Sequence, residues 1–211
     1  MTASVPKESL AKHKEEKPDF GTYHHSTPSE SAKARERARI LFMKAFGTLP
    51  FSRNEEIKVL DVGCGLGFLL CLCAEYYPKA KVIGVDTFED ASLKDSSLEK
   101  AKRNARILGF SGRIAFRNGD IFRSDFRRRK FDLLVSNLVF HNLGKRRFEA
   151  YERLAWWSTP TSHVLLGELF FDYKTDLRRL SGFFGSVKEI PGSAIGSAYK
   201  MLVLSEPKRD I

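Results

Sequence analysis

The stretch Val59-Leu60-Asp61-Val62-Gly63-Cys64-Gly65-Leu66-Gly67 decides how this chain is read. An aliphatic strand runs into three glycines at alternate positions, and the apolar residues 68–74 that follow suit a helix. Glycine adopts conformations and allows close approaches that a Cβ forbids, so such a turn lets a ligand touch bare main chain. The helix beyond it begins with unpaired N–H groups. Asp61 sits inside the end of the strand, where an acid is unfavourable unless a cation or a hydrogen-bond donor approaches it.

Downstream, short β-branched or aliphatic runs (57–62, 81–86, 113–117, 131–136, 163–171) alternate with helix-compatible segments near 67–77, 96–108 and 145–157. That alternation predicts parallel strands joined by crossover helices, an α/β fold. In the second of those helices Leu98, Ala101, Ala105 and Leu108 make one apolar face, with Lys100, Lys102, Arg103 and Arg106 elsewhere. A shorter helix near 175–180 and two strand-like runs, 183–190 and 198–205, follow. The second strand ends in Asp86, and the third runs into Asn118-Gly119-Asp120-Ile121. Acids at three consecutive strand ends line the carboxyl edge of the sheet, where open α/β sheets bind ligands. Asp86 is placed to receive both hydroxyls of a ribose, and Asp120 to accept from an exocyclic adenine amine.

Upstream, Thr27-Pro28-Ser29-Glu30 reads as a capping box with proline at the first helical position. The helix it opens is expected to reach Phe46 and to dock Ile40, Leu41, Phe42 and Phe46 on a core. Residues 1–26 are rich in Lys, Glu, Ser, Pro and His and read as a mobile or lightly docked arm. Within it Tyr23, His24 and His25 leave two readings open, a disordered arm or a lid. Adjacent histidines rarely share one ion, and no metal is expected.

The 211 residues carry 36 Lys+Arg against 26 Asp+Glu, a formal charge of +10. That length fits one domain with an extension: residues 1–52 as arm and capping helix, residues 53–211 as the domain proper. Seventeen Phe, six Tyr and two Trp exclude disorder throughout. The longest apolar runs, 68–74 and 164–171, fall short of the roughly 20 residues a bilayer requires, so no membrane span is expected. The opening residues hold scattered charge and no apolar signal-type run. Cys64, Cys71 and Cys73 fit neither a disulfide framework nor a zinc pattern, and they read as reduced, buried thiols of a cytoplasmic protein.

On these residues, together with Val85-Asp86, Gly119-Asp120-Ile121 and Phe131-Asp132-Leu133-Leu134-Val135-Ser136-Asn137, the chain resembles the class I S-adenosylmethionine-dependent methyltransferases over about residues 57–205. The resemblance implies a Rossmann-like three-layer sandwich around a seven-stranded, mostly parallel sheet whose last strand is antiparallel. It implies S-adenosylmethionine as cofactor. Gly63, Cys64, Gly65 and Gly67 would lie under its methionine part, with Asp61 toward the ammonium end. Asp86 would hold the ribose, Asp120 and Ile121 the adenine, and Thr87 and Asn137 would also contact the cofactor.

A nicotinamide dehydrogenase is the natural competitor for a glycine-rich turn. Its fingerprint places the third glycine three positions after the second, whereas Gly65 and Gly67 are two apart, and Asp61 would repel a pyrophosphate.

For the acceptor, Ser136-Asn137-Leu138-Val139-Phe140-His141-Asn142-Leu143 lacks the Pro-Pro-aromatic loop of methyltransferases acting on planar amines. It is similar to the corresponding run of small-molecule methyltransferases, although Trp156-Trp157-Ser158-Thr159-Pro160 replaces their usual glycine turn. A small-molecule acceptor is therefore expected. His141 and Glu168 are the candidate catalytic groups, each with a plain structural alternative, as a packing histidine or the partner of a cation. Residues 100–130 hold eleven Lys and Arg against two Asp, densest at Arg127-Arg128-Arg129-Lys130. RNA methylation over that surface, protein methylation, and a module that binds the cofactor without turnover are the alternatives.

Overall fold

The computed structural model describes residues 16–126, 131–192 and 198–208. The densest basic run, 127–130, and the first fifteen residues of the arm lie outside the described residues.

The capping box forms as expected. Thr27 Oγ1 accepts from the Glu30 amide at 3.2 Å, and the Glu30 carboxylate accepts from the Thr27 amide at 2.8 Å, which starts helix α1 (Pro28–Phe46). Then follow β1 (Lys58–Val62), α2 (Phe68–Tyr76), β2 (Lys81–Asp86), α3 (Leu98–Ile107), β3 (Ile114–Asn118), β4 (Phe131–Asn137), α4 (Arg147–Trp157), β5 (Ser158–Leu169), α5 (Tyr173–Phe183), β6 (Phe184–Glu189) and β7 (Tyr199–Pro207). The seven strands make one sheet in the order β3-β2-β1-β4-β5-β7-β6. β7 is antiparallel to both β5 and β6, and the pairs from β3 to β5 are parallel. This is the expected Rossmann-like arrangement, with the chain reversing direction across the sheet between β1 and β4.

Two apolar layers hold the sheet. Phe42 and Phe46 of α1 meet Leu69 and Cys73 of α2 and Tyr77 on one face. Tyr151, Leu154 and Trp157 of α4 pack with Phe126 and Phe131 on the other. All three cysteines are free and buried within the first layer or at its edge. Burial pushes the Cys71 thiol up to about 12.

Several boundaries differ from the sequence reading. β5 begins at Ser158 rather than 163, because Thr159 N donates to Ser162 Oγ and Ser162 Oγ donates to Phe131 O, folding the Ser-Thr-Pro-Thr-Ser run into a bulge that stays paired with β4. α4 begins later than expected, after a 3-10 segment Phe140–Arg146 interrupted at Gly144 (φ 55°, ψ −130°). Ile40 is 59% exposed and does not join Leu41 and Phe42 in the core. Among the described residues, no helix is long and apolar enough to cross a membrane.

Candidate active site

A cleft of about 930 Å³ opens at the carboxyl ends of β1, β2 and β4, the place where the strand order reverses. Its floor is the glycine turn. Gly63, Gly65 and Gly67 take φ of 74°, 47° and 86°, a region L side chains rarely occupy, which accounts for the alternate glycines. The amides of Gly63 and Cys64 both donate to Val85 O, and Gly65 N donates to Asp86 Oδ2 at 2.8 Å. The turn's own donors thus tie it to β2 rather than point outward. Gly84 leaves the room that Cys64 fills, since a Cβ there would lie 2.7 Å from its sulfur.

Two acids line this end. Asp61 is 1% exposed, receives a hydrogen bond from the backbone of Leu70, and has no partner for Oδ2 among the described residues. Burial first, and the neighbouring Asp86 charge second, hold its carboxyl well above the usual range. Asp86 accepts from Gly65 and from Phe88 (2.7 Å), and burial still raises its carboxyl. Thr87 lines the wall beside it. At the end of β3, Asp120 Oδ1 accepts from the Phe122 amide at 2.8 Å, and Ile121 lines the same wall.

The arm contributes a cover. Asn104 of α3 accepts from Asp19 N and donates to Asp19 O and Leu66 O, pinning arm, glycine turn and helix together. Phe20 packs edge-on against Phe68 with centroids 5.6 Å apart, Arg35 donates to Gly21 O, and Tyr23 bridges to Leu93. His24 approaches Ser92 O. Residues 19–24 are therefore docked over the cleft, which agrees with the lid reading for this stretch and not with a disordered arm. The sequence marked Tyr23 but gave no signal for Asn104, whose partners Leu66 and Asp19 are 38 and 85 residues away.

The other end is built from β4, β5 and β7. Glu168, 1% exposed, accepts from the amides of Val139 (2.8 Å) and Phe140 (2.6 Å) and from His141 Nδ1. That leaves His141 Nε2 as the ring's remaining proton-accepting position, on a side chain that lines the cleft. Asn137 accepts from Tyr199 Oη at 2.7 Å, and Ser136 Oγ donates to Val62 O. The two ends touch at one point: a Cβ on Gly63 would lie 2.4 Å from Val139 Cγ2. All the cofactor and catalytic candidates except Gly67 and Glu168 line the cleft directly, and those two stand immediately behind it.

The described part of the basic stretch, residues 100–126, lies at the β3 edge, away from His141 in the sheet order. Among its described residues, Lys100 pairs with Asp19, Lys102 with Glu99 and Arg103 with Glu16, and Arg113 donates to Ala74 O and Tyr77 O. Arg117 lies over the Phe126 ring.

A family model described as a methyltransferase domain matches residues 53–167, more than half of the chain. Among curated proteins, the tRNA1(Val) (adenine(37)-N6)-methyltransferase of Vibrio campbellii is 25% identical over 109 residues, covering 52% of this chain and 43% of that protein. The malonyl-(acyl-carrier protein) O-methyltransferase of Priestia megaterium is 33% identical over 87 residues, 41% of this chain and 28% of that one. The chain spans less than half the length of either relative. Human N-acetylserotonin methyltransferase, solved in complex with S-adenosylmethionine, superposes with a TM-score of 0.59 at 17% identity, covering 82% of this chain and 52% of the human one. At that identity the likeness is one of fold.

Proposed function

The chain belongs to the class I S-adenosylmethionine-dependent methyltransferases, and we propose that it methylates a small-molecule acceptor in the cytoplasm, with residues 53–211 as the transferase unit and residues 1–52 as an extension that covers the cleft. One observation carries this reading. A single cleft holds, at one end, a buried carboxylate oxygen without a partner and, at the other, an imidazole fixed by a buried glutamate.

The residues present fit S-adenosylmethionine. The unpartnered carboxyl oxygen of Asp61 suits a ligand with a cationic end, which would favour the ionised form that burial otherwise disfavours. Gly63, Cys64, Gly65 and Gly67 supply a floor without protruding side chains. Asp86 keeps lone pairs free for ribose hydroxyls beyond its two backbone bonds, beside Thr87, and Asp120 with Ile121 flanks the adenine position. Bound there, the cofactor supplies an electrophilic methyl group on a sulfonium.

The remaining work falls to the chain's own residues. His141 Nε2 takes the acceptor's proton, and Glu168 holds the ring in one tautomer and stabilises the imidazolium. Residues 19–24 and α1 exclude water, which favours alignment over solvation of the nucleophile. A polynucleotide acceptor is the second reading, favoured by the +10 charge and by an RNA-modifying relative. The place of the described basic residues at the β3 edge, away from His141, and the engagement of Arg113 with two main-chain carbonyls speak against it.

Incubation with methyl-labelled cofactor and fractionated cell extract tests the proposal. Label in the small-molecule fraction supports it, and label in RNA or protein replaces the acceptor class. Cofactor binding with no labelled product of any kind leaves only a binding module.

A further inference from the structure

We propose that the methyl-accepting atom is a hydroxyl oxygen on a largely apolar molecule, selected by the side-chain amide of Asn137. The proposal rests on the methyltransferase reading above and deepens it. Asn137, implied by resemblance on the cofactor side, is assigned here to the acceptor.

Asn137 closes β4, and its carbonyl oxygen is occupied by Tyr199 Oη from β7 at 2.7 Å. Burial raises the Tyr199 phenol far above its ordinary value, so it remains a proton donor at any physiological pH. Gly167 of β5 lies between them. A Cβ there would come within 2.4 Å of Tyr199 Oη and 2.9 Å of Asn137 Oδ1, so three strands combine to hold this amide in one orientation. With one lone pair of its oxygen held by Tyr199 and the amide so oriented, Asn137 lines the cleft with its N–H donors uncommitted to the fold among the described residues.

The backbone beyond it is equally poor in acceptors. Leu138 stands at φ 57°, a conformation proline cannot adopt, so this turn cannot follow the path of an Asn-Pro-Pro loop. Its N–H bonds to Gly167 O, and its carbonyl accepts from Asn142 Nδ2 at 3.4 Å. An amine acceptor must hand its hydrogens to lone pairs, and the Asn137 and Leu138 carbonyls each already accept a hydrogen bond from within the fold. A hydroxyl oxygen gathering negative charge is instead stabilised by donors, and its one proton has a destination in His141 Nε2.

The walls suit an apolar body. Leu138, Val139, Leu143 and Leu169 line the cleft beside Asn142 and Arg146, and outside that lining Phe171, 78% exposed, holds its ring 6.2 Å from that of His141. In the step this implies, the acceptor O–H bond breaks as its proton passes to His141. An O–CH₃ bond forms, and the electron pair of the broken S–CH₃ bond remains on sulfur.

The test uses full-length protein, carbon-13 methyl-labelled S-adenosylmethionine, and the matched pair 2-naphthol and 2-naphthylamine, with the small-molecule fraction of a cell extract in parallel. The expected result is label in methyl ethers, with the naphthol favoured at least tenfold. Asn137→Asp, which turns lone pairs toward the cleft, should narrow that ratio tenfold or more. Tyr199→Phe, which unpins the amide, should narrow it less, through kcat more than KM. Label on nitrogen or carbon, a ratio near one, or an unchanged ratio in a folded Asn137→Asp protein overturns the proposal and leaves the methyltransferase reading standing. Calorimetry with S-adenosylhomocysteine separates the two failures: absent binding and absent label together overturn the underlying reading, whereas binding with neither naphthyl compound nor extract labelled as an ether overturns the inference.

Discussion

The glycine-turn end of the cleft and the His141 end are built in opposite ways. The first is local: nine consecutive residues, 59–67, supply the strand tip, the turn and the buried acid, and β2 only ties them down. The second is assembled from distance. Glu168 reaches back 27 residues to His141, and Tyr199 reaches 62 to Asn137. A local motif specifies a ligand common to many proteins, whereas an assembled wall can vary without disturbing it. The relatives fit that division, since both are methyltransferases by name and differ in the acceptors those names record.

Substitutions should separate the two ends. The largest expected effect is at the assembled end: His141→Gln should lower single-turnover rates by about 10²–10⁴-fold, the usual worth of general-base catalysis, with cofactor affinity nearly unchanged. Equal losses in affinity would erase the distinction.

At the local end the order reverses. Asp61→Asn should weaken S-adenosylmethionine binding by about 10- to 100-fold, from roughly 1.5–3 kcal/mol for a hydrogen bond to a charged group. The same substitution should raise the melting temperature of the free protein, because it removes an ionisable group that burial disfavours. The pH trends follow. The Asp61 carboxyl is raised in the folded state, so its contribution to the free protein's stability is present at low pH and is lost as pH rises through the folded value. Affinity for a cationic ligand moves the other way and falls as pH drops through that value. Thermal scans and titrations over pH 4–8 on the wild type and Asp61→Asn check both trends, and parallel trends would contradict the assignment.

Gly63 is where the ends meet. Gly63→Ala should destabilise by about 1–3 kcal/mol through positive φ and contact with Val139. Adding Val139→Ala should recover part of that loss, the contact part and not the φ part. No recovery would show that the ends are not coupled through this pair. The smallest effect lies outside the cleft. Lys102→Ala, whose partner Glu99 is 79% exposed, should change stability by about 0–1 kcal/mol and leave turnover of a small acceptor unchanged.

This contrast also explains what could be read from the sequence. Alternating runs, the capping box, the glycine turn and Asp61, Asp86 and Asp120 are short-range patterns, and each lies where its pattern places it. His141 and Glu168 were visible only as separate candidates, because neither residue's spacing encodes a contact made across two strands. Asn104 and the contact of Tyr199 with Asn137 had no local signal at all, and the docking of residues 19–24 was legible only as the lid reading of Tyr23, His24 and His25. The bulge at the start of β5 was missed for a related reason: Thr159 and Ser162 hydrogen-bond each other and Phe131, so a run that reads as a loop stays in the sheet.

The most direct test is calorimetric titration of S-adenosylmethionine into the wild-type protein and the Asp61→Asn variant at neutral pH. One site per chain, weakened by an order of magnitude or more in the variant, is the expected result. Absence of binding, or equal affinity in the two proteins, would contradict the cradle built on the glycine turn.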